Sequence, residues 1–179
     1  MPNYHRLYSN GGTYFFTVVT YQRYPVFKDN NSIALLNDCF KTVRRNHPFL
    51  IDASVILPDH LHMIWTLPET DCNFSMRWNL IKGSFSRRYG EQYENPSSSR
   101  RQKREKAIWQ RRFWEHLVRD QHDFNRLCDY IHYNPVKHGL VKSPEEWKHS
   151  TFDEFQTRGQ YPDGWGDTVS KELKEMEME

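Results

Sequence analysis

Residues 57–67 read LPDHLHMIWTL. Pro58-Asp59 is a reverse-turn pair. It separates two runs of branched and aromatic side chains, Leu50 to Leu57 and His60 to Leu67, which the composition predicts as strands. Strands joined by so short a turn pair antiparallel as a hairpin. Alternation along the second strand puts His60 and His62 on one face with Ile64 and Thr66. Leu61, Met63, Trp65 and Leu67 take the other face and enter a core. Two imidazoles on one strand face, about 6.5 Å apart along the chain, are spaced to share a metal ion. With 9 histidines in 179 residues, a chance His-x-His is not rare, so the pair alone decides nothing.

The hairpin sits inside a longer alternation. Thr13 to Thr20 (TYFFTVVT) is a strand by composition. From Ser32, Ile33, Leu36, Phe40 and Val43 recur at helical spacing, with Ser32 as the candidate N-cap and Pro48 beyond the end. Phe74 to Tyr89 is a second helix with Trp78, Ile81 and Phe85 as its stripe and Gly90 as its stop. Phe113 to Arg119 is a fourth strand. A third helix starts at His122, with Phe124, Leu127, Cys128 and Ile131 on one face, and Pro135 limits it. The order is β-α-β-β-α-β followed by an extra helix, which predicts an α+β, ferredoxin-like antiparallel sheet with two helices on one face. After Gly139 nothing long is periodic, and Trp147, Phe152, Phe155, Tyr161 and Trp165 are spaced as anchors for an irregular C-terminal tail. The expected organisation is one domain over 1–150, carrying a flexible basic insertion at about 91–106, and an acidic tail over 151–179 lying on or near it.

Charge is uneven along the chain. Residues 76–126 hold 13 Lys/Arg against 6 Asp/Glu, and residues 153–179 hold 3 against 8. A basic middle suits a polyanion, and an acidic end can compete for the same surface. Cys39, Cys72 and Cys128 are odd in number and form no C-x-x-C pair, which argues against a disulfide framework or a zinc finger. There is no long apolar run or signal peptide, so the expectation is a soluble, cytoplasmic protein without a membrane partner. On the third helix, Arg126, Tyr130 and Asn134 form a row at i, i+4 spacing. A tyrosine on the polar side of a helix, beside a metal-capable amide, suits a nucleophile, whereas the helix pattern alone favours an ordinary amphipathic helix residue.

Four stretches taken in order carry a resemblance: Gly11 to Val18 (GGTYFFTV), Leu57 to Glu69, Trp109 to His116 (WQRRFWEH), and Asp129 to Gly139 (DYIHYNPVKHG). Together they resemble the REP-associated tyrosine transposases, a group of single-tyrosine HUH transposases. The resemblance implies His60 and His62 as paired metal ligands, Tyr130 as nucleophile and Asn134 as the third ligand, with His138 or His132 as substitutes for Asn134. It implies Mg²⁺ or Mn²⁺ as cofactor and the hairpins of palindromic extragenic repeats as substrate. The implied reaction is strand transfer on single-stranded DNA through a 5′-phosphotyrosine, by a monomer or a homodimer.

The residues are compatible with that chemistry. A free phenol has a pKa of about 10, so the nucleophile needs a positioned environment. Arg77, Lys82, Arg87, Arg88, Arg111, Arg112, Arg119 and Arg126, interleaved with Trp78, Tyr89, Trp109 and Trp114, are candidates for tracking a single strand by charge and stacking. At least one of Trp78 and Trp114 is expected in the core. Two other readings compete: a hairpin-binding protein on the same fold that cleaves little, and a metal-dependent hydrolase with no covalent step. The second of these lacks acidic ligands near the histidines other than Asp59. The charge split further suggests that the tail from Asp153 folds over the basic groove and restrains access to DNA.

Overall fold

The computed structural model describes residues 7–90, 108–167 and 169–178; the basic insertion expected at about 91–106 lies outside them. Strands β1 (Thr13–Val19), β2 (Leu50–Ile56), β3 (His60–Thr66) and β4 (Trp114–Leu117) form one sheet in the order β2-β3-β1-β4. All three pairings are antiparallel. This is the ferredoxin-like order, and it places β3 and β1 at the centre.

Helices α1 (Asn30–Asn46) and α2 (Phe74–Tyr89) cover one face. Ile33, Leu36, Phe40 and Val43 of α1 and Phe74, Trp78, Ile81 and Phe85 of α2 meet Tyr14, Phe16, Leu61, Met63 and Trp65 of the sheet. Trp65 and Trp78 stack with ring centroids 4.2 Å apart. Helix α3 (Gln121–Lys137) covers the other face, with Leu127, Cys128 and Ile131 against Phe15, Ala53, Val55 and Ile64. The sheet is therefore sandwiched. That explains why β1 reads as a nearly continuous apolar run rather than a strict alternation: both of its faces leave water.

The structure departs from the sequence expectation in several places, β4 being shorter than Phe113 to Arg119. The N-cap of α1 is Asp29, whose carboxylate accepts from Ser32 N at 2.9 Å, and Ser32 itself is inside the helix. Pro135 does not end α3, which runs on to Lys137. A proline so near the end removes one backbone hydrogen bond, while His138 N still reaches Asn134 O at 3.0 Å and Leu140 N reaches Pro135 O at 2.9 Å. The C-terminal region contains two short helices, α4 (Phe152–Thr157) and α5 (Lys171–Glu175). Phe152, Phe155, Tyr161, Leu173 and Met176 are buried in the α3-side core, and Trp147 Nε1 donates to Ile56 O at 3.0 Å.

Arg77 corrects the expected DNA-tracking set. Its side chain is 1% exposed. The guanidinium donates to Asp71 Oδ2 at 2.7 Å, Pro48 O at 2.9 Å, Asn73 O at 3.0 Å and His47 O at 3.3 Å. Four of its five N–H donors go to joining the end of α1 to the start of α2. Trp78 is fully buried and Tyr89 stacks on Phe85, so these aromatics serve packing. Replacing Arg77 by Ala is expected to cost about 3 kcal/mol or more of stability, because Asp71 and three carbonyls lose their donor. A urea titration reads that loss. An Arg77→Ala protein of unchanged stability that binds DNA less well would return Arg77 to the DNA-tracking set.

Candidate active site

His60 opens β3 directly after the Pro58-Asp59 turn, and the pleat aims His60 and His62 at α3. Both are buried, with ring centroids 5.0 Å apart. Each ring is oriented through Nδ1. His60 Nδ1 lies 2.5 Å from Asp59 Oδ1. Burial alone would raise the Asp59 carboxyl, but hydrogen bonds and charge from His60 and Arg23 outweigh it and hold the group below the usual range. An ionised carboxylate only accepts, so His60 donates Nδ1–H. His62 Nδ1 lies 2.9 Å from Thr17 Oγ1, whose own hydroxyl donates to Met178 O. That proton is committed, so Thr17 accepts from His62 Nδ1–H. A neutral ring held in this way keeps its remaining lone pair on Nε2.

Helix α3 brings the other half of the site. Asp120 caps it by accepting from Asp123 N at 2.8 Å. The row Arg126, Tyr130, Asn134 continues to His138. The Tyr130 ring lies 5.2 Å from the His62 ring, and the His138 ring 5.0 Å from the His60 ring. Asn134, one turn from each, thus lies over the histidine pair. The row is turned against the sheet: Tyr130 is 1% exposed and Asn134 is 0%. His138 is exposed and marks the open end.

Asn134 supplies the test of a metal site. Neither Oδ1 nor Nδ2 of this fully buried amide has a hydrogen-bond partner among the described residues. Leaving both unmade costs a few kcal/mol, a cost that ligation would offset. Among the described residues, no three His, Cys, Asp or Glu side chains group to hold a metal, so His60, His62 and His138 do not form a three-histidine centre. The donor set that fits is two imidazoles and one amide oxygen.

His132, the other substitute ligand, faces away. Its Nδ1 meets Tyr161 Oη at 2.9 Å, its Nε2 meets Thr151 Oγ1 at 2.9 Å, and Tyr161 donates to Asp129 at 3.0 Å. It tethers the C-terminal region to α3. Burial pulls its pKa down to about 3, against about 6.5 when unfolded. A depressed histidine contributes stability that is complete above the unfolded value and is lost as pH falls. Between pH 6.5 and 3 the fold is expected to lose up to a few kcal/mol through this residue. Thermal melts of wild type and His132→Gln across that range check it: the variant melts lower at pH 7.5 and varies less with pH.

The C-terminal segment reaches the nucleophile. Met178 N donates to Tyr130 Oη at 3.3 Å, Thr17 donates to Met178 O, and Lys137 Nζ donates to Met176 O. The Lys137 ammonium also lies 5.1 Å from the centre of the Tyr130 ring.

The remaining cations divide by face. Lys82, Arg87 and Arg88 are on α2, across the sheet from the histidines. Lys82 donates to Gln110 O at 2.8 Å and Arg88 pairs with Asp38 at 2.5 Å. Arg111, Arg112 and Arg119 are exposed beside β4. Arg126 is the one member of the set in the nucleophile row, and it pairs with Asp123 at 3.5 Å and Glu172 at 3.9 Å. Sequence reasoning missed Thr17 and Lys137. Only the pairing of Thr17 with His62 across β1 and β3 could have pointed to the first.

The family profile described as "Transposase IS200 like" matches residues 9–134. The chain is 42% identical to the REP-associated tyrosine transposase of Escherichia coli K12, over 95% of this chain and 94% of that one. The chain belongs to the REP-associated tyrosine transposases. A Haemophilus influenzae relative is 38% identical over 97% of this chain and 98% of its own. A solved REP-associated tyrosine transposase bound to a REP hairpin superposes with a TM-score of 0.81 at 42% identity, covering 96% of this chain and 94% of that one. Membership makes this transposase-family chain a DNA-processing protein. No helix among the described residues is long and apolar enough to cross a membrane.

Proposed function

We propose that the protein cleaves and rejoins single-stranded DNA beside REP hairpins, with Tyr130 as the nucleophile. One observation carries this reading: the row Tyr130, Asn134, His138 docks on the His60–His62 pair, so a phenol, an amide and two imidazoles converge from elements far apart in sequence. The hairpin bound by the solved relative supports the choice of substrate.

Tyr130 Oη gives up its proton to solvent and forms a bond to the phosphorus of a phosphodiester, and the bond from phosphorus to the 3′ oxygen breaks. The 3′ oxygen takes up a proton and leaves as a hydroxyl, while the 5′ phosphate stays on the tyrosine. A new 3′ hydroxyl reverses the step and joins the strands, so the bond energy is conserved. Lys137 places a positive charge beside the phenol ring. Nε2 of His60, Nε2 of His62 and Oδ1 of Asn134 would hold a divalent ion, Mg²⁺ or Mn²⁺, whose chemistry there is stabilisation of charge on a non-bridging phosphate oxygen.

The test uses a labelled REP hairpin oligonucleotide with a single-stranded flank. Incubation with Mg²⁺ or Mn²⁺ followed by denaturation is expected to show a covalent protein–DNA adduct. Absence of an adduct with either metal overturns the reading in favour of a hairpin-binding protein. Asn134→Ala is expected to raise the half-saturating metal concentration about 10-fold or more. The same metal requirement as wild type would remove Asn134 from the ligand set.

A further inference from the structure

The turn that starts β3 is pinned by a strained loop, and the pin holds a charge on a histidine. After β1 the chain passes through Gln22 at φ 53 and Arg23 at φ 50. Two successive non-glycine residues in the left-handed region cost about 1–2 kcal/mol each. What the conformation achieves is contact with the turn. Arg23 Nη1 lies 3.2 Å from Asp59 Oδ2. Thr20 donates to Asp59 O from its backbone N at 2.9 Å and its hydroxyl at 2.7 Å, and Phe27 N donates to Pro58 O at 2.9 Å. The turn is thus fixed through its backbone, independently of the Asp59 side chain. The carboxylate divides its two oxygens, Oδ1 to His60 Nδ1 and Oδ2 to Arg23.

We propose that Asp59 is a positioning residue for His60 and that Arg23 tunes it. Asp59 holds the ring with Nδ1 as donor and Nε2 as the ligating nitrogen, and its negative charge makes that nitrogen a better donor to a metal. Arg23 draws part of the charge away. Loss of either partner then acts on His60 in opposite directions. This rests on His60 being a metal ligand.

Asp59→Asn keeps the shape and every backbone bond of the turn while removing the charge. An amide presents either an acceptor or a donor to Nδ1, so the ring loses its fixed tautomer. Arg23→Gln leaves the full carboxylate charge on His60.

Two measurements on the intact protein test this. In the metal-free protein, nitrogen NMR of His60 is expected to show Nδ1–H in wild type and in Arg23→Gln, and a mixture of tautomers in Asp59→Asn. Titration of Mn²⁺ followed by its electron paramagnetic resonance signal is expected to show binding weakened about 10- to 100-fold by Asp59→Asn and tightened about threefold by Arg23→Gln. His60→Ala is the control. If it leaves Mn²⁺ binding unchanged, the metal reading fails, and the NMR result still decides whether Asp59 sets the tautomer. If His60→Ala abolishes binding while Asp59→Asn keeps both wild-type tautomer and affinity, the proposal for Asp59 is overturned and the metal reading stands. No tightening in Arg23→Gln overturns the tuning role of Arg23.

Discussion

Tyr130→Phe is expected to abolish covalent capture of DNA, lowering adduct formation by about 10³-fold or more, while leaving the fold intact. The reason is geometric. The ring of Tyr130 packs edge-on against Phe15 and His62, with centroids 6.1 and 5.2 Å away, and phenylalanine keeps both contacts. Only the hydroxyl is lost, and with it the hydrogen bond it accepts from Met178 N. A single such bond contributes about 1 kcal/mol, a shift of a few degrees in Tm for a chain of this size. Activity and stability therefore separate cleanly in one variant. Single-turnover assays on a denaturing gel, beside thermal melts, check both halves. An adduct persisting in Tyr130→Phe would pass the role to Tyr133, which is buried on the same helix.

Removing the residues after Gly166 is expected to raise cleavage about tenfold or more. A phosphate cannot approach Tyr130 Oη while the backbone of Met178 occupies it, so the docked segment must leave first. Leu173 and Met176 are buried against α3, and each contributes about 1.5–3 kcal/mol of gross burial. The cost of ordering the segment offsets much of that, which leaves a closed state favoured modestly rather than locked. Charge, which first suggested the contact, is a minor part of it: Arg126–Glu172 is 3.9 Å long with Glu172 77% exposed, and surface pairs of that kind contribute little. Leu173→Asp should mimic the truncation without shortening the chain, whereas Glu172→Gln should change the rate by less than about twofold. Cleavage unchanged by both the truncation and Leu173→Asp would sink the restraint.

Periodicity alone determined a good deal. The order of strands and helices, the sharing of one strand face by His60 and His62, and the i, i+4 row from Arg126 through Tyr130 to Asn134 all follow from residue spacing. Spacing sets angles within one element. It says nothing about which element covers which face, and the site depends on that. Only the docking of α3 on the sheet turned the tyrosine row inward, left Asn134 buried and set His132 on the far side of the helix. Arg77 shows the same limit: as a cation in a basic stretch it reads as a phosphate contact, yet carbonyls at the end of α1 claim it. The contacts that decide these cases span long stretches of chain, 45 residues from Thr17 to His62 and 161 from Thr17 to Met178. A side chain's chemistry is written in its sequence position, whereas its protonation, burial and partners come from groups that only the folded chain brings beside it.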